Sequence, residues 1–139
     1  MNKEELKKVM PHREPMLLMD EIEFDEVNNT AIGTVTIRGD EFFVQGHYPD
    51  HPIVPGVILC ERAAQTCIVL FADKVAGKTP LFTGINNVKF RQPVRPGDTV
   101  TFKCEIDKIK EPFYFTKGKA YVNGNDKLCM SGEFSFAAV

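Results

Sequence analysis

The sequence lacks most of the features that would place a chain in a specialised class. No apolar run approaches the ~20 residues that a membrane span needs, and no secretory apolar stretch follows the charged start at Met1–Lys8. An excess of one charge is missing too. The 17 Lys and Arg stand against 19 Asp and Glu, a net of −2, so electrostatic capture of nucleic acid or of an anionic membrane is not expected. The four cysteines, Cys60, Cys67, Cys104 and Cys129, contain no Cys-x-x-Cys pair and sit among apolar neighbours. They read as buried free thiols of a reducing compartment, which points to a cytoplasmic protein and away from a disulfide scaffold. There is no internal repeat, low-complexity tract or charge block. What remains is ordinary globular composition, 43% hydrophobic and 26% charged. With 139 residues the chain is too short to divide readily, and one domain covering 1–139 is expected.

Along the chain the pattern changes character four times. Asn2–Val9 has a short helical look that stops at Pro11. Met16–Ile37 reads as extended segments broken by the turn signal Asn28-Asn29. Residues 46–56 hold Gly46, Pro49, Pro52, Pro55 and Gly56, and a stretch with three prolines so close can be neither helix nor central strand, so a rigid loop is predicted. Val57–Val75 then carries no proline or glycine. Pro55 stands where a first helical residue would and Gly77 just past the end, so one helix of about five turns is predicted.

On a helical wheel Arg62, Thr66 and Asp73 share a stripe about 40° wide, and apolar residues fill most of the remaining circumference. Such a helix must be wrapped by other structure. The wrapper is legible downstream. Val100, Phe102, Cys104 and Ile106 alternate with polar residues, Phe113–Val122 and Leu128–Phe136 form two more extended runs, and Asn123-Gly124-Asn125-Asp126 joins these as a hairpin turn. The fold class is therefore α+β, a curled antiparallel sheet around one long central helix. A sheet with one covered face often pairs edge to edge, so a homodimer is expected.

Two of the three histidines, His47 and His51, lie in the rigid loop. With Cys60 and Glu61 a zinc site can be drawn, but no pair has a recognised metal spacing. Glu61 falls on the apolar side of the helix, where a carboxyl group is either paired or functional. Desolvation there would raise its pKa toward that of a general acid, whereas a hydrogen bond to Gln65, one turn on, would make it structural. His47 offers the complementary base. The first amides of the helix, at Gly56 and Val57, offer donors to a carbonyl oxygen at the positive end of the helix dipole. Base, acid and oxyanion donors together suggest proton abstraction beside a carbonyl.

The stretch from His47 to Glu61 resembles the signature of the bacterial (3R)-hydroxyacyl-[acyl-carrier-protein] dehydratases of type II fatty acid synthesis, enzymes of the hot-dog fold. That signature is Gly-His-Phe-Pro-Gly-His-Pro-x-x-Pro-Gly-Val followed by Glu and Gln, and His47, Pro49, His51, Pro52, Pro55, Gly56, Val57, Glu61 and Gln65 fall in place. Residues 10–20 resemble the family's Pro-His-Arg opening, and residues 84–98 its later strand and turn. The resemblance implies that His47 takes the C2 proton of a (3R)-3-hydroxyacyl thioester. Glu61 from the partner subunit would protonate the departing C3 hydroxyl, and the Gly56 amide would polarise the thioester carbonyl. It implies no cofactor, no metal, and structural roles for His12 and His51. Glutamate at the acid position resembles the branch that dehydrates without isomerising. The sequence departs from the pattern at Tyr48, Asp50, Cys60 and Arg62, and Asp50 is spaced to raise the imidazole pKa.

The resemblance also implies a carrier-protein partner and a homodimer, or a trimer of dimers. Acyl carrier proteins are acidic, and Lys89, Arg91 and Arg95 are close in sequence, either as a docking patch or as solvated strand charges. The phenylalanines at 42, 43, 82, 90, 102, 113 and 115 are expected mostly in the core, with some lining an acyl channel. Two rival readings are an acyl thioesterase of the same fold, which would release free thiol, and a non-catalytic acyl-thioester binding module.

Overall fold

The computed structural model describes residues 1–48, 50–124 and 127–139. Pro49 of the expected loop, and Asn125 and Asp126 of the expected hairpin turn, lie outside the described residues. Period-two alternation becomes strand wherever it is sustained. The strands are β1 (Glu21–Asp25), β2 (Thr30–Thr36), β3 (Pro80–Phe90), β4 (Thr99–Lys110), β5 (Phe113–Val122) and β6 (Leu128–Ala138), in one antiparallel sheet of order β1-β2-β4-β5-β6-β3. Val100, Phe102 and Cys104 of β4 face the core and their polar neighbours face outward, as the alternation predicts. The Asn28-Asn29 turn separates β1 from β2, with Asn29 left-handed at φ 53. All four thiols are free and buried.

The α-helices among the described residues are α1 (Lys3–Leu6), α2 (Phe42–Gln45) and α3 (Gly56–Ile68). The Asn2 side chain accepts from Glu5 N while the Glu5 carboxylate accepts from Asn2 N, a reciprocal cap that starts α1. Helix α3 lies across β4, β2 and β5 and fills the hollow of the sheet, so the architecture is the α+β hot-dog arrangement. Its approach to β2 is close enough to require glycine. A methyl group at Gly33 would lie 2.5 Å from Thr66 Oγ1 and 2.6 Å from Met19 Cε.

Three details differ from the sequence reading. Helix α3 runs for 13 residues, and Val69–Val75 continues as a 3-10 helix with a break at Phe71, φ −127. The Phe71 ring stacks on Tyr114 at 4.7 Å and lies 5.3 Å from Phe136, so core packing interrupts the regular turn. Pro55 caps the helix from outside, and Gly56 is its first residue. The polar stripe is also buried in part: Arg62 and Thr66 are 2% and 0% exposed, while apolar Val57 is 76% exposed. Thr66 escapes an unmet hydroxyl by donating to Arg62 O, 2.9 Å, and beyond the break Asp73 returns to the surface.

Candidate active site

Helix α2, which the sequence pattern does not announce, is a single turn anchored by buried Phe43 and Val44. It ends at Gly46 and delivers His47, whose N–H donates to Val44 O at 3.1 Å. The imidazole Nδ1 lies 3.1 Å from Ile53 O. A carbonyl can only accept, so Nδ1 carries the proton and Nε2 keeps its lone pair. Ile53 is itself held on the loop by its neighbour, since Val54 N donates to Val94 O at 2.8 Å. Tyr48, left-handed at φ 53, lays its ring against the imidazole, 4.3 Å between centroids.

His47, Tyr48, Gly56, Val57, Phe90 and Arg91 share one open cleft of about 550 Å³. A helix leaves its first N–H groups without intrahelical partners, and those of Gly56 and Val57 have no acceptor among the described residues. A side chain at Gly56 would collide with Phe90, whose Cζ stands 2.8 Å from the Cβ position. Glycine therefore keeps the helix end open beneath that ring. An imidazole, two amides without acceptors among the described residues, and an apolar rim are thus in one place.

Glu61 is elsewhere on α3. It is not among the residues lining this cleft, and its Oε2 lies 3.8 Å from His12 Nε2 and accepts from Gln65 Nε2 at 3.2 Å. Gln65 is fully buried and also donates to Met16 O at 2.7 Å while accepting from Leu18 N at 3.0 Å, so the amide is fixed and aims one N–H at the carboxyl. Burial pushes the Glu61 carboxyl above its ordinary value, against the pull of the Gln65 amide. Burial, aided by Arg13, holds His12 below its own. Both groups are driven toward neutrality, and at 3.8 Å the contact is not an ion pair of consequence. The hydrogen bond expected of a structural glutamate and the raised pKa expected of an acid are both present.

The remaining expected residues are divided. Arg91 is exposed and lines the cleft, whereas Lys89 and Arg95 are exposed but do not line it, and none of the three forms an ion pair among the described residues. His51 is exposed. Asp50, expected to act on the imidazole, is exposed and makes no hydrogen bond or ion pair with His47 among the described residues. The phenylalanines expected mostly in the core are mostly outside it: 43 and 102 are buried and 115 half-buried, while 42, 82, 90 and 113 are exposed and Phe90 lines the cleft. Sequence reasoning missed the Ile53 carbonyl, since a backbone acceptor has no residue signal. It also did not place His12 beside Glu61, although the spacing of Gln65, one turn from Glu61, marked that neighbourhood.

Comparison with known proteins finds similar dehydratases. Residues 23–133 match the ApeI-like family, described as ApeI dehydratase. The 3-hydroxyacyl-[acyl-carrier-protein] dehydratase FabZ of Clostridium beijerinckii is 44% identical over 99% of this chain and 98% of its own length. Its namesake in Clostridioides difficile is 40% identical over 100% of this chain and 98% of its own. Among solved structures, the dehydratase heterocomplex ApeI:P from Xenorhabdus doucetiae superposes with a TM-score of 0.80 over 96% of this chain and 90% of that one. At 17% identity this is a likeness of fold.

Proposed function

The chain belongs to the 3-hydroxyacyl-[acyl-carrier-protein] dehydratase family, and from that membership we propose that His47 and Glu61 carry its reaction, the loss of water from a (3R)-3-hydroxyacyl thioester to give a trans-2-enoyl thioester. It is a hydro-lyase. The observation that carries the residue roles is the imidazole: Nδ1 is committed to Ile53 O, so Nε2 is the basic atom, in a cleft shared with the free N–H groups of Gly56 and Val57. Nε2 takes the C2 proton as the C2=C3 bond forms. The two amides, at the positive end of α3, stabilise charge developing on the thioester oxygen. The C3–O bond breaks as a protonated Glu61 gives its proton to the leaving hydroxyl, which departs as water. The proton on His47 then returns to Glu61, and the cycle closes.

The acid is supplied by a second copy of the chain. Glu61 does not line the His47 cleft of its own subunit. Strand β3 is a sheet edge that exposes Leu81, Ile85 and Phe90, an apolar margin suited to pairing in a homodimer. Dimers further assemble as a trimer of dimers, and the 139 residues act as one catalytic domain. The thioester arrives on an acidic acyl carrier protein, with Lys89, Arg91 and Arg95 as its docking patch. Arg91 at the cleft is the support for that placement.

The test is spectroscopic. Enoyl formation from a 3-hydroxyacyl thioester, followed by absorbance of the conjugated product, is expected to fall about 10²–10⁴-fold in His47→Ala and in Glu61→Ala. Release of free thiol without enoyl product by the wild type would overturn the dehydratase assignment in favour of a thioesterase. The docking patch is tested separately. Arg91→Glu/Arg95→Glu is expected to raise KM about tenfold for carrier-bound substrate and leave a short thioester analogue unaffected. An equal rise for both removes the docking role.

A further inference from the structure

Arg62 is the neighbour of Glu61 on α3, and the structure buries its charge. Arg62 is 2% exposed. Its Nε donates to Leu18 O at 3.2 Å, its guanidinium carbon stands 5.0 Å from the Phe43 ring centroid, and Nη1 meets no acceptor among the described residues. Burial lowers its pKa to about 10, against the pull of Glu41 and Asp20, so it stays charged at neutral pH. An apolar side chain of similar volume usually serves packing alone as well or better than a buried, partly unmet cation. The position of Arg62 therefore points to a task beyond filling space.

That task is visible in what Phe43 holds. Helix α2 has four residues and no side-chain cap, and a single turn has no stability of its own. Phe43 and Val44 are its buried anchors, and His47 follows directly, tied back to Val44 O. We infer that Arg62 is a positioning residue, holding α2 through the face of the Phe43 ring and thereby fixing the His47 imidazole against Ile53 O. The inference rests on His47 being the base. A charge placed over a desolvated aromatic face is directional, whereas aliphatic packing lets the ring slide. An error of about 1 Å in a catalytic group can cost 10²-fold in rate.

Four variants test this: Arg62→Met, Arg62→Lys, Phe43→Leu and the Arg62→Met/Phe43→Leu pair. Each is assayed for kcat and KM, and its His47 tautomer is read by ¹⁵N NMR of the imidazole nitrogens. Arg62→Met is expected to lower kcat about tenfold to 10²-fold with KM little changed, and to replace the Nδ1–H tautomer by a mixture. Arg62→Lys, which keeps a cation over the ring, recovers most of the rate. Phe43→Leu behaves as Arg62→Met does, and the pair is no worse than either alone, as expected of groups acting in series. Wild-type kcat in Arg62→Met, or a loss that only follows its folded fraction with the tautomer unchanged, overturns the inference. If Arg62→Met does not fold, Arg62→Lys and Phe43→Leu decide by the same two readouts. A wild type that forms no enoyl product sinks the dehydratase assignment instead, and the tautomer still tests the Arg62–Phe43 link.

Discussion

The carboxyl of Glu61 sits where burial opposes its charge and one amide N–H favours it, with burial the stronger influence. Its pKa in the folded chain is thus above that of the unfolded chain. Folding then favours the protonated form, and the associated stability is present below the unfolded pKa and lost as pH rises through the folded one. Glu61→Gln removes the titration. The variant is expected to lose enoyl formation yet melt a few degrees higher than wild type near pH 8, with the two curves meeting near pH 4. Thermal melts across that range check it, and equal melting temperatures at pH 8 would contradict a desolvated acid. The neighbouring His12 extends the same logic. Burial lowers the His12 imidazole below its ordinary value, which opposes an ion pair with the carboxyl beside it.

Elements in this fold are placed by contacts of unequal legibility. Strands β4, β5 and β6 lie where alternation puts them, because period two is written into the side chains themselves. Helix α2 escapes such reading because four residues cannot display a period, and the end of α3 escapes because Phe71 answers to Tyr114 and Phe136 instead of to its own helix. The contact of α3 with β2 gives a direct test. In Gly33→Ala the new methyl meets Thr66 Oγ1 and Met19 Cε, and the expected loss is about 1–3 kcal/mol from overpacking. Thr66→Ala in the same chain removes the nearest of these atoms and is expected to restore part of it. Urea denaturation midpoints of the two variants and wild type measure both effects.

For the whole molecule, the absence of Glu61 from the lining of the His47 cleft makes the unit of function the property to test. If each active centre takes its base from one subunit and its acid from the other, two inactive variants can repair one another. Refolding His47→Ala together with Glu61→Ala in equal amounts makes mixed dimers in which one of the two centres has both wild-type residues. Recovery of about a quarter of the wild-type rate is expected from the isologous geometry. A mixture as inactive as its parents would place both groups in one subunit. Substituting Ile85→Lys on the exposed β3 edge provides the companion measurement, since a monomer is expected to lose the reaction with both residues intact.

Much of this protein is written locally. The Pro-rich loop, the presence of a helix after it, the three long alternating strands, and the candidate trio His47, Gly56 and Glu61 follow from residue type and spacing, because turn chemistry, period and acid–base character belong to side chains a few positions apart. Tertiary structure alone decided the rest. Only packing could show that the Ile53 carbonyl sets the tautomer of His47, that Arg62 lies under Phe43, and that Glu61 faces His12 and does not line the His47 cleft of its own chain. Arg62 with Phe43 and His12 with Glu61 join residues far apart in the chain, and the His47–Ile53 contact depends on the path of a loop backbone, whose acceptor carries no residue signal.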